Sequence, residues 1–206
     1  MSDHAWVTDF WNDPSLMLMY QTDVSERDTK ASIEGIQALE RGLPVPPDNR
    51  PAAVWPGKKG KRRKTLPPLF CTNGFWVVSQ QVADIMGRFD LGEGGLYPVE
   101  VLGADDKTPI AGDWYCWIYG NRKDTLDAEA SVNLRVYRPV PGEDRRNLAT
   151  HPADDDVALS REALAGPDVW IEKRLKGTVV LSGALGDALF AANLADDLRM
   201  TRARVV

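Results

Sequence analysis

The stretch that decides the fold is LFCTNGFWVVSQQVADIMGRFDLGEGGLYPVEVL, residues 69–102. Its apolar run FWVV follows an Asn-Gly turn signal and is rich in β-branched and aromatic residues, a pattern that predicts a strand. Ser79 then stands at a favourable N-cap position, because its hydroxyl can accept a hydrogen bond from an amide of the first helical turn. Apolar residues recur at helical spacing from Val82 to Phe89, and a glycine-rich turn ends the helix. A second apolar run follows, so the stretch predicts strand, capped helix and strand.

The C-terminal segment repeats this order. An apolar run precedes Ser182, which is also a predicted N-cap, and apolar residues fall three, six, seven, ten and twelve positions after both Ser79 and Ser182. Two similar strand–helix–strand units are one interpretation of the match. The alternative is that any capped amphipathic helix after a strand produces similar spacing. In both cases the sequence predicts an α+β fold, a single domain of short strands with a few capped amphipathic helices.

Chain length and composition favour one domain. The chain has 206 residues, of which 43% are hydrophobic and 27% charged, values typical of an ordinary globular protein. We expect residues 1–65 to be an irregular N-terminal segment with a proline-rich and basic connection, although residues 32–41 carry apolar side chains at helical spacing. Residues 66–206 are expected to form the α+β domain.

The sequence also indicates a compartment. No apolar run approaches the roughly 20 residues that a membrane-spanning helix needs, and no basic segment followed by an apolar core marks a secretory signal. Two cysteines, Cys71 and Cys116, are too few for a disulfide framework, which favours a reducing compartment. A single bridge between them is the alternative. These features predict a cytoplasmic protein with no membrane partner.

The formal charge of −5 is unevenly distributed. Six basic residues crowd one short segment, namely Lys58, Lys59, Lys61, Arg62, Arg63 and Lys64. Removing these six positive charges from −5 leaves −11 on the rest of the chain, so the body of the protein is acidic. The run contains no aromatic residue that could stack on a base. It therefore predicts a solvated loop, with a nucleic-acid-associated module at residues 58–64 as the alternative.

The sequence contains no recognisable catalytic or metal-binding motif. Its only two histidines stand in no Ser-His or Cys-His arrangement, and zinc-ligand spacing is absent. We therefore expect no cofactor, no metal and no catalytic residue, and predict that the protein is not an enzyme. The alternative is an enzyme whose active site has no motif and is built around Asn121, Arg122 and Asp168, with Asp124 beside them.

The most aromatic run of the chain is WYCWIY, residues 114–119. In a strand, alternate side chains point to opposite faces, so one set would pack in the core while the other could anchor a partner through Tyr and Trp. A second candidate is the acidic triplet at residues 154–156, whose density of charge predicts exposure and attraction of a basic partner. The predicted partner-binding residues are Trp114, Tyr115, Trp117, Tyr119, Asp154, Asp155 and Asp156.

Several segments between residues 66 and 206 resemble a bacterial family of predicted immunity proteins. This family belongs to polymorphic toxin systems, was first catalogued as a domain of unknown function, and is the eleventh family of the immunity classification. The segments are FWVVS (75–79), FDLG (89–92), LYPVEVL (96–102), GNRKD (120–124), DVW (168–170) and RARVV (202–206). Residues 1–65 match the family only loosely.

The resemblance implies a role rather than a reaction. A member of such a family is a small cytoplasmic protein that is encoded beside a toxin, binds it and neutralises it by stoichiometric occlusion. The expected partner is therefore a cognate protein toxin, and binding of a nucleic acid is not expected. An acidic protein suits this role, because electrostatic attraction would steer it to the basic active sites of toxins that act on nucleic acids.

Overall fold

The computed structural model describes residues 3–58, 60, 63, 65–137 and 144–206. Its strands are β1 (His4–Thr8), β2 (Gln21–Thr22), β3 (Ala53–Trp55), β4 (Leu69–Cys71), β5 (Trp76–Ser79), β6 (Gly95–Pro98), β7 (Glu100–Val101), β8 (Trp114–Ile118), β9 (Arg122–Lys123), β10 (Leu126–Asp127), β11 (Arg135–Val136), β12 (Arg146–Asn147), β13 (Ala158–Leu159), β14 (Val169–Glu172), β15 (Val179–Ser182) and β16 (Met200–Val205). Its α-helices are α1 (Asp23–Arg27), α2 (Thr29–Glu40), α3 (Gln80–Met86) and α4 (Gly183–Ala191), and short 3₁₀ helices lie at Phe10–Asn12, Pro47–Asn49 and Arg161–Leu164. The predicted α+β fold is confirmed.

Two sheets form the body of the protein. The larger has seven strands in the order β10-β13-β16-β1-β15-β14-β9, and four consecutive strands, β16, β1, β15 and β14, pair antiparallel. The smaller has four antiparallel strands in the order β4-β5-β8-β6. A three-stranded sheet (β2-β3-β7) and the β11-β12 pair accompany them. The four-stranded sheet comes from one continuous stretch of chain, whereas the seven-stranded sheet draws strands from widely separated parts of the sequence.

The N-terminal segment supplies the central strand of the larger sheet, which corrects the expectation that this segment is irregular. Trp6 of β1 lies opposite Leu181 of β15 on one side and opposite Arg202 of β16 on the other. The five residues of β1 are too few to show a strand period on their own. The strand is defined by its pairing with β15 and β16, which lie far along the chain. The helix expected within residues 32–41 is confirmed as α2, with Asp28 as its N-cap.

Both faces of the seven-stranded sheet are buried. Side chains alternate along β1, so Trp6 joins the larger core, which also contains the side chains of the four-stranded sheet, while Val7 joins a smaller core on the opposite face. Strand β14 alternates in the same way, and its Trp170 is fully buried in the smaller core. Burial on both faces explains why these strands occur in the sequence as continuous apolar runs.

The two predicted strand–helix units are present, but their serines differ. Strand β5 leads into α3, strand β15 leads into α4, and the two helices contact each other. The Ser182 hydroxyl accepts a hydrogen bond from the Leu185 amide at 3.3 Å and caps α4. Ser79 occupies the same position before α3, yet its hydroxyl makes no cap bond and is buried without a hydrogen-bond partner in the described part of the chain. The N-cap prediction is therefore confirmed for Ser182 and wrong for the Ser79 side chain.

Cys71 and Cys116 are free thiols buried in the four-stranded sheet. Cys71 ends β4 and Cys116 lies in the middle of β8, with β5 between the two strands. Burial raises the pKa of each thiol to about 12, because the thiolate would lose its hydration. The alternative of a disulfide bridge is therefore wrong, and at neutral pH both groups stay in the poorly nucleophilic thiol form.

Candidate partner-binding site

An apolar groove of about 610 Å³ opens where the four-stranded and three-stranded sheets meet. The chain passing from β6 into β7 borders the groove, as does the start of β8. Its apolar lining includes Pro98, Val99, Val101, Ile110, Trp114 and Tyr115. The volume lies within the range of roughly 300–1,000 Å³ that is usual for binding clefts. The groove therefore has room for side chains of a partner.

Trp114 and Tyr115, two of the predicted partner-binding residues, belong to this lining and are half-buried. The Trp114 ring packs edge-on against Phe70 at a centroid distance of 5.5 Å, and the Trp114 carbonyl oxygen accepts from the Val99 amide at 2.9 Å. The Tyr115 hydroxyl donates to Gln80 Oε1 at 2.8 Å. Both rings are thus held by the protein while part of each stays open to solvent, which reduces the entropy lost when a partner binds them.

Trp117 and Tyr119, the other two aromatic candidates, are 0% exposed and offer no surface to a partner. Their rings meet in a T-shaped contact with centroids 4.9 Å apart, and Trp117 also contacts Phe10. On the other face of β8, Cys116 and Ile118 are buried as well. Alternation along this strand therefore separates two core faces rather than a core face from a solvent face.

The rim of the groove is acidic. Glu100 and Asp113 are exposed lining residues, and neither has an ion-pair partner among the described residues. The described lining contains no lysine, arginine or histidine. Sequence reasoning missed both carboxylates because each stands alone in the chain, without a motif or a run of charge. They meet at one groove because Glu100 begins β7 and Asp113 directly precedes β8.

The acidic triplet forms part of a turn fixed onto β16 and does not line the groove. Asp156 is only 7% exposed, and its carboxylate accepts hydrogen bonds from the Asn133 side chain and a backbone amide, each at 2.9 Å. Asp155 pairs with the Arg202 guanidinium at 2.9 Å, and Asp154 accepts from the Arg202 amide at 2.8 Å. The predicted exposure is wrong for Asp156, because its carboxylate is turned inward to accept these two hydrogen bonds within the turn.

Asn121, the centre of the alternative active site, is held in structural hydrogen bonds. Its side-chain nitrogen donates to the carbonyl oxygens of Leu91, Tyr119 and Val169 at 2.8, 2.8 and 2.9 Å. Its side-chain oxygen accepts from the Glu93 amide at 3.0 Å. The side chain therefore ties the glycine-rich turn to the end of β8 and to β14.

Two other members of that alternative are also engaged. Asp168 Oδ2 accepts from a backbone amide at 2.8 Å, and Asp124 pairs with Lys173 at 2.9 Å and with Arg174 at 2.8 Å. Arg122 is exposed and lines a separate cleft. Three of the four residues are thus taken up by interactions that stabilise the fold.

The basic run is only partly within the described residues. Lys58 and Arg63 are exposed, and the Arg63 guanidinium donates to the Ser15 carbonyl oxygen at 3.2 Å. Neither residue lines the groove. The predictions for the other four basic residues fall outside the described part of the chain, and these are Lys59, Lys61, Arg62 and Lys64.

Two structural absences hold for the described ranges. No three His, Cys, Asp or Glu side chains within them are grouped so that they could hold a metal ion. In the same part of the chain, no helix combines the length and the apolar character needed to cross a membrane.

The match to known families extends over nearly the whole chain. A family model described as the immunity protein family Imm11 matches residues 13–197. The chain belongs to this family. The match includes α1, α2 and the three-stranded sheet, so the Imm11 region reaches well beyond the segments that follow residue 66. No curated protein matches the chain.

Proposed function

We propose that this Imm11 protein acts in the bacterial cytoplasm by binding a cognate toxin, one molecule to one, and occluding the toxin's active site. The observation that carries the proposal is the family match over residues 13–197. An inhibitor that acts by occupancy needs a stable surface and no catalytic machinery. The proposal therefore includes a toxin encoded beside this protein and excludes turnover.

The groove is the surface that we assign to the toxin. Trp114 and Tyr115 are of the residue types that dominate binding energy at protein interfaces, and neighbouring side chains hold both rings in place. A stable complex buries about 800 Å² on each partner. We therefore expect the interface to extend from the groove over the exposed residues of β6, β7 and the loop at residues 102–113.

Charge at the groove favours a basic partner. The protein carries −5 overall, and part of this charge lies at the groove in the carboxylates of Glu100 and Asp113, which have no ion-pair partner among the described residues. Complementary charge chiefly accelerates association, and salt screens exposed charges over about 8–10 Å. The association rate constant should therefore fall as salt rises, whereas the dissociation rate constant, set by the aromatic contacts, should change less.

A titration of the neighbouring toxin tests the proposal. Toxin activity should fall in proportion to added Imm11 protein and reach zero near one equivalent, and the two proteins should purify as a 1:1 complex. Complete inhibition at a small fraction of one equivalent would indicate catalysis and would contradict occlusion. Full toxin activity at several equivalents, with no complex formed, would contradict an immunity function toward that toxin.

A further inference from the structure

A second cleft, of about 470 Å³, lies where the end of α2, strand β9 and the turn after β14 meet. Among the described residues, it shares no lining residue with the apolar groove. Its described lining includes three carboxylates and five cations, and the cations are Arg41, Arg122, Arg145, Lys173 and Arg174. In a protein whose formal charge is −5, this cleft carries the opposite sign.

Two of the three carboxylates are already occupied. Glu172 is 1% exposed, and its Oε2 accepts from a backbone amide at 2.9 Å and from a threonine hydroxyl at 2.7 Å. Asp144 pairs with Arg146 at 2.7 Å and with Arg174 at 3.4 Å. The third, Glu40, is exposed at the end of α2. The three carboxylates offset three of the five positive charges, so the described lining keeps a net charge of +2.

Three of the five cations form no ion pair with the described residues, and all three are arginines. Arg41, Arg122 and Arg145 have no carboxylate within 4.0 Å among the described residues. Backbone packing holds the first two segments together: Gly42 lies so close to Asn121 that a Cβ on the glycine would be 2.3 Å from the Asn121 carbonyl oxygen. Like charges that converge on one cleft raise its positive potential and attract a multivalent anion.

We infer that this basic cleft binds a small phosphate-bearing anion. Guanidinium groups are planar and donate pairs of N–H bonds that match phosphate oxygens. A volume of about 470 Å³ is suitable for a small ligand. A long polyanion such as a nucleic acid is disfavoured, because the rest of the protein is acidic and would repel it. The inference does not depend on toxin binding, since the described linings of the cleft and the groove have no residue in common.

Isothermal titration calorimetry with inorganic pyrophosphate tests the inference. We expect saturable binding of one pyrophosphate per chain, with an affinity that falls as salt rises. Arg122→Gln and Arg145→Gln should each weaken binding by about tenfold, because each removes charge-assisted hydrogen bonds to the phosphate. ADP serves as a second probe. Similar affinities for ADP and pyrophosphate would identify the phosphates as the recognised part. Tighter binding of ADP would indicate further contacts between the cleft and the nucleoside. Both results support the inference.

Arg88→Gln is the matched control. Arg88 is exposed and likewise has no carboxylate within 4.0 Å in the described part of the chain, but it does not line the cleft. All three variants change one exposed side chain and should keep the parent's unfolding midpoint. Binding that does not saturate, or that the cleft variants weaken no more than Arg88→Gln does, would overturn the inference. Tighter binding of a single-stranded oligonucleotide than of pyrophosphate would also overturn it.

Backbone NMR shifts provide an independent readout of the position. Pyrophosphate should move the amide signals of residues 171–177, which border the cleft, and leave those of residues 98–101 in the groove unchanged. Shifts centred on the groove would contradict the assignment of the ligand to the basic cleft.

Discussion

The ammonium nitrogen of Lys123 lies 3.8 Å from the ring centroid of Trp170. It also donates to the carbonyl oxygens of Ala165 and Pro167 at 2.6 and 3.1 Å. Burial lowers the pKa of Lys123 to about 8, and the nearby Asp168 carboxylate offsets only part of that effect. Lys123 thus joins edge strand β9 to the segment that leads into β14, with an ammonium group that loses its proton unusually readily.

We expect the ¹³Cε signal of Lys123 to titrate with a midpoint near pH 8. The unfolded chain keeps this proton up to about pH 10.5, whereas the folded protein releases it from about pH 8. Because the unfolded state then binds more protons, Lys123 should make the free energy of unfolding rise with pH between these two values. Above about pH 9 the buried thiols of Cys71 and Cys116 act in the opposite direction, so the contribution of Lys123 is measured as a difference between proteins. In urea denaturation, the free energy of unfolding of the parent should gain on that of Lys123→Met as pH rises over this range, and Lys107→Met, at an exposed turn, should follow the parent. A titration midpoint above pH 10 would contradict the pKa shift.

The two helix-start serines form a matched pair for a stability test. Ser182→Ala should lower the free energy of unfolding by about 0.5–2 kcal/mol, because the Leu185 amide loses its acceptor. Ser79→Ala should leave the free energy of unfolding unchanged or raise it, because the mutation removes a buried hydroxyl that has no partner among the described residues. Urea denaturation of both variants is the measurement. Equal losses would show that both hydroxyls cap their helices in solution.

Asn121 should be important for stability rather than for catalysis. Asn121→Ala leaves three carbonyl oxygens and the Glu93 amide without their side-chain partner, and should lower the free energy of unfolding by at least about 2 kcal/mol. Asn121→Asp should also destabilise the protein, because a carboxylate can accept from Glu93 but cannot donate to the carbonyl oxygens. Asn73→Ala, at an exposed turn, is the control and should be neutral. A folded Asn121→Ala protein with unchanged stability would contradict this role.

Charge reversal at the groove should slow association with the toxin. In the double variant Glu100→Lys with Asp113→Lys, the association rate constant at low salt should fall by about tenfold or more, and the difference from the parent should shrink as salt rises. The control is Glu129→Lys with Glu162→Lys, which changes the net charge equally at exposed residues outside the groove. Stopped-flow measurement of the association rate constant compares the two double variants.

The outcomes of that experiment test the groove assignment separately from the immunity function. Equal slowing by both double variants would mean that net charge steers the toxin and that the groove is not the contact surface. Unchanged kinetics and full neutralisation in the groove variant would remove the groove assignment while leaving the immunity function intact.

Which elements are predictable from sequence depends on where their partners lie. The unit from β4 through β5 to α3 is formed by chain neighbours, so turn signals and apolar periodicity predict it. Strand β1 could not be predicted in this way, because both of its partners come from the far part of the sequence. A local sequence pattern does not show which distant segment a strand pairs with.

The same limit applies to the site. Composition identifies an aromatic strand, yet it cannot separate half-buried Trp114 and Tyr115 from fully buried Trp117 and Tyr119, because the covering layers come from other elements. Charge density likewise predicts exposure for Asp156, which instead accepts hydrogen bonds inside a turn. Exposure is a property of the assembled fold.

The position of β1 also has a consequence for the timing of synthesis. Its residues leave the ribosome long before β15 and β16, the strands on either side of it, have been translated. At a usual elongation rate of about 5–20 residues per second, the interval is roughly 10–40 s. The four-stranded sheet can assemble during this time, but the seven-stranded sheet cannot close around its centre. The larger core, which contains side chains of both sheets, is therefore completed only when translation is almost finished.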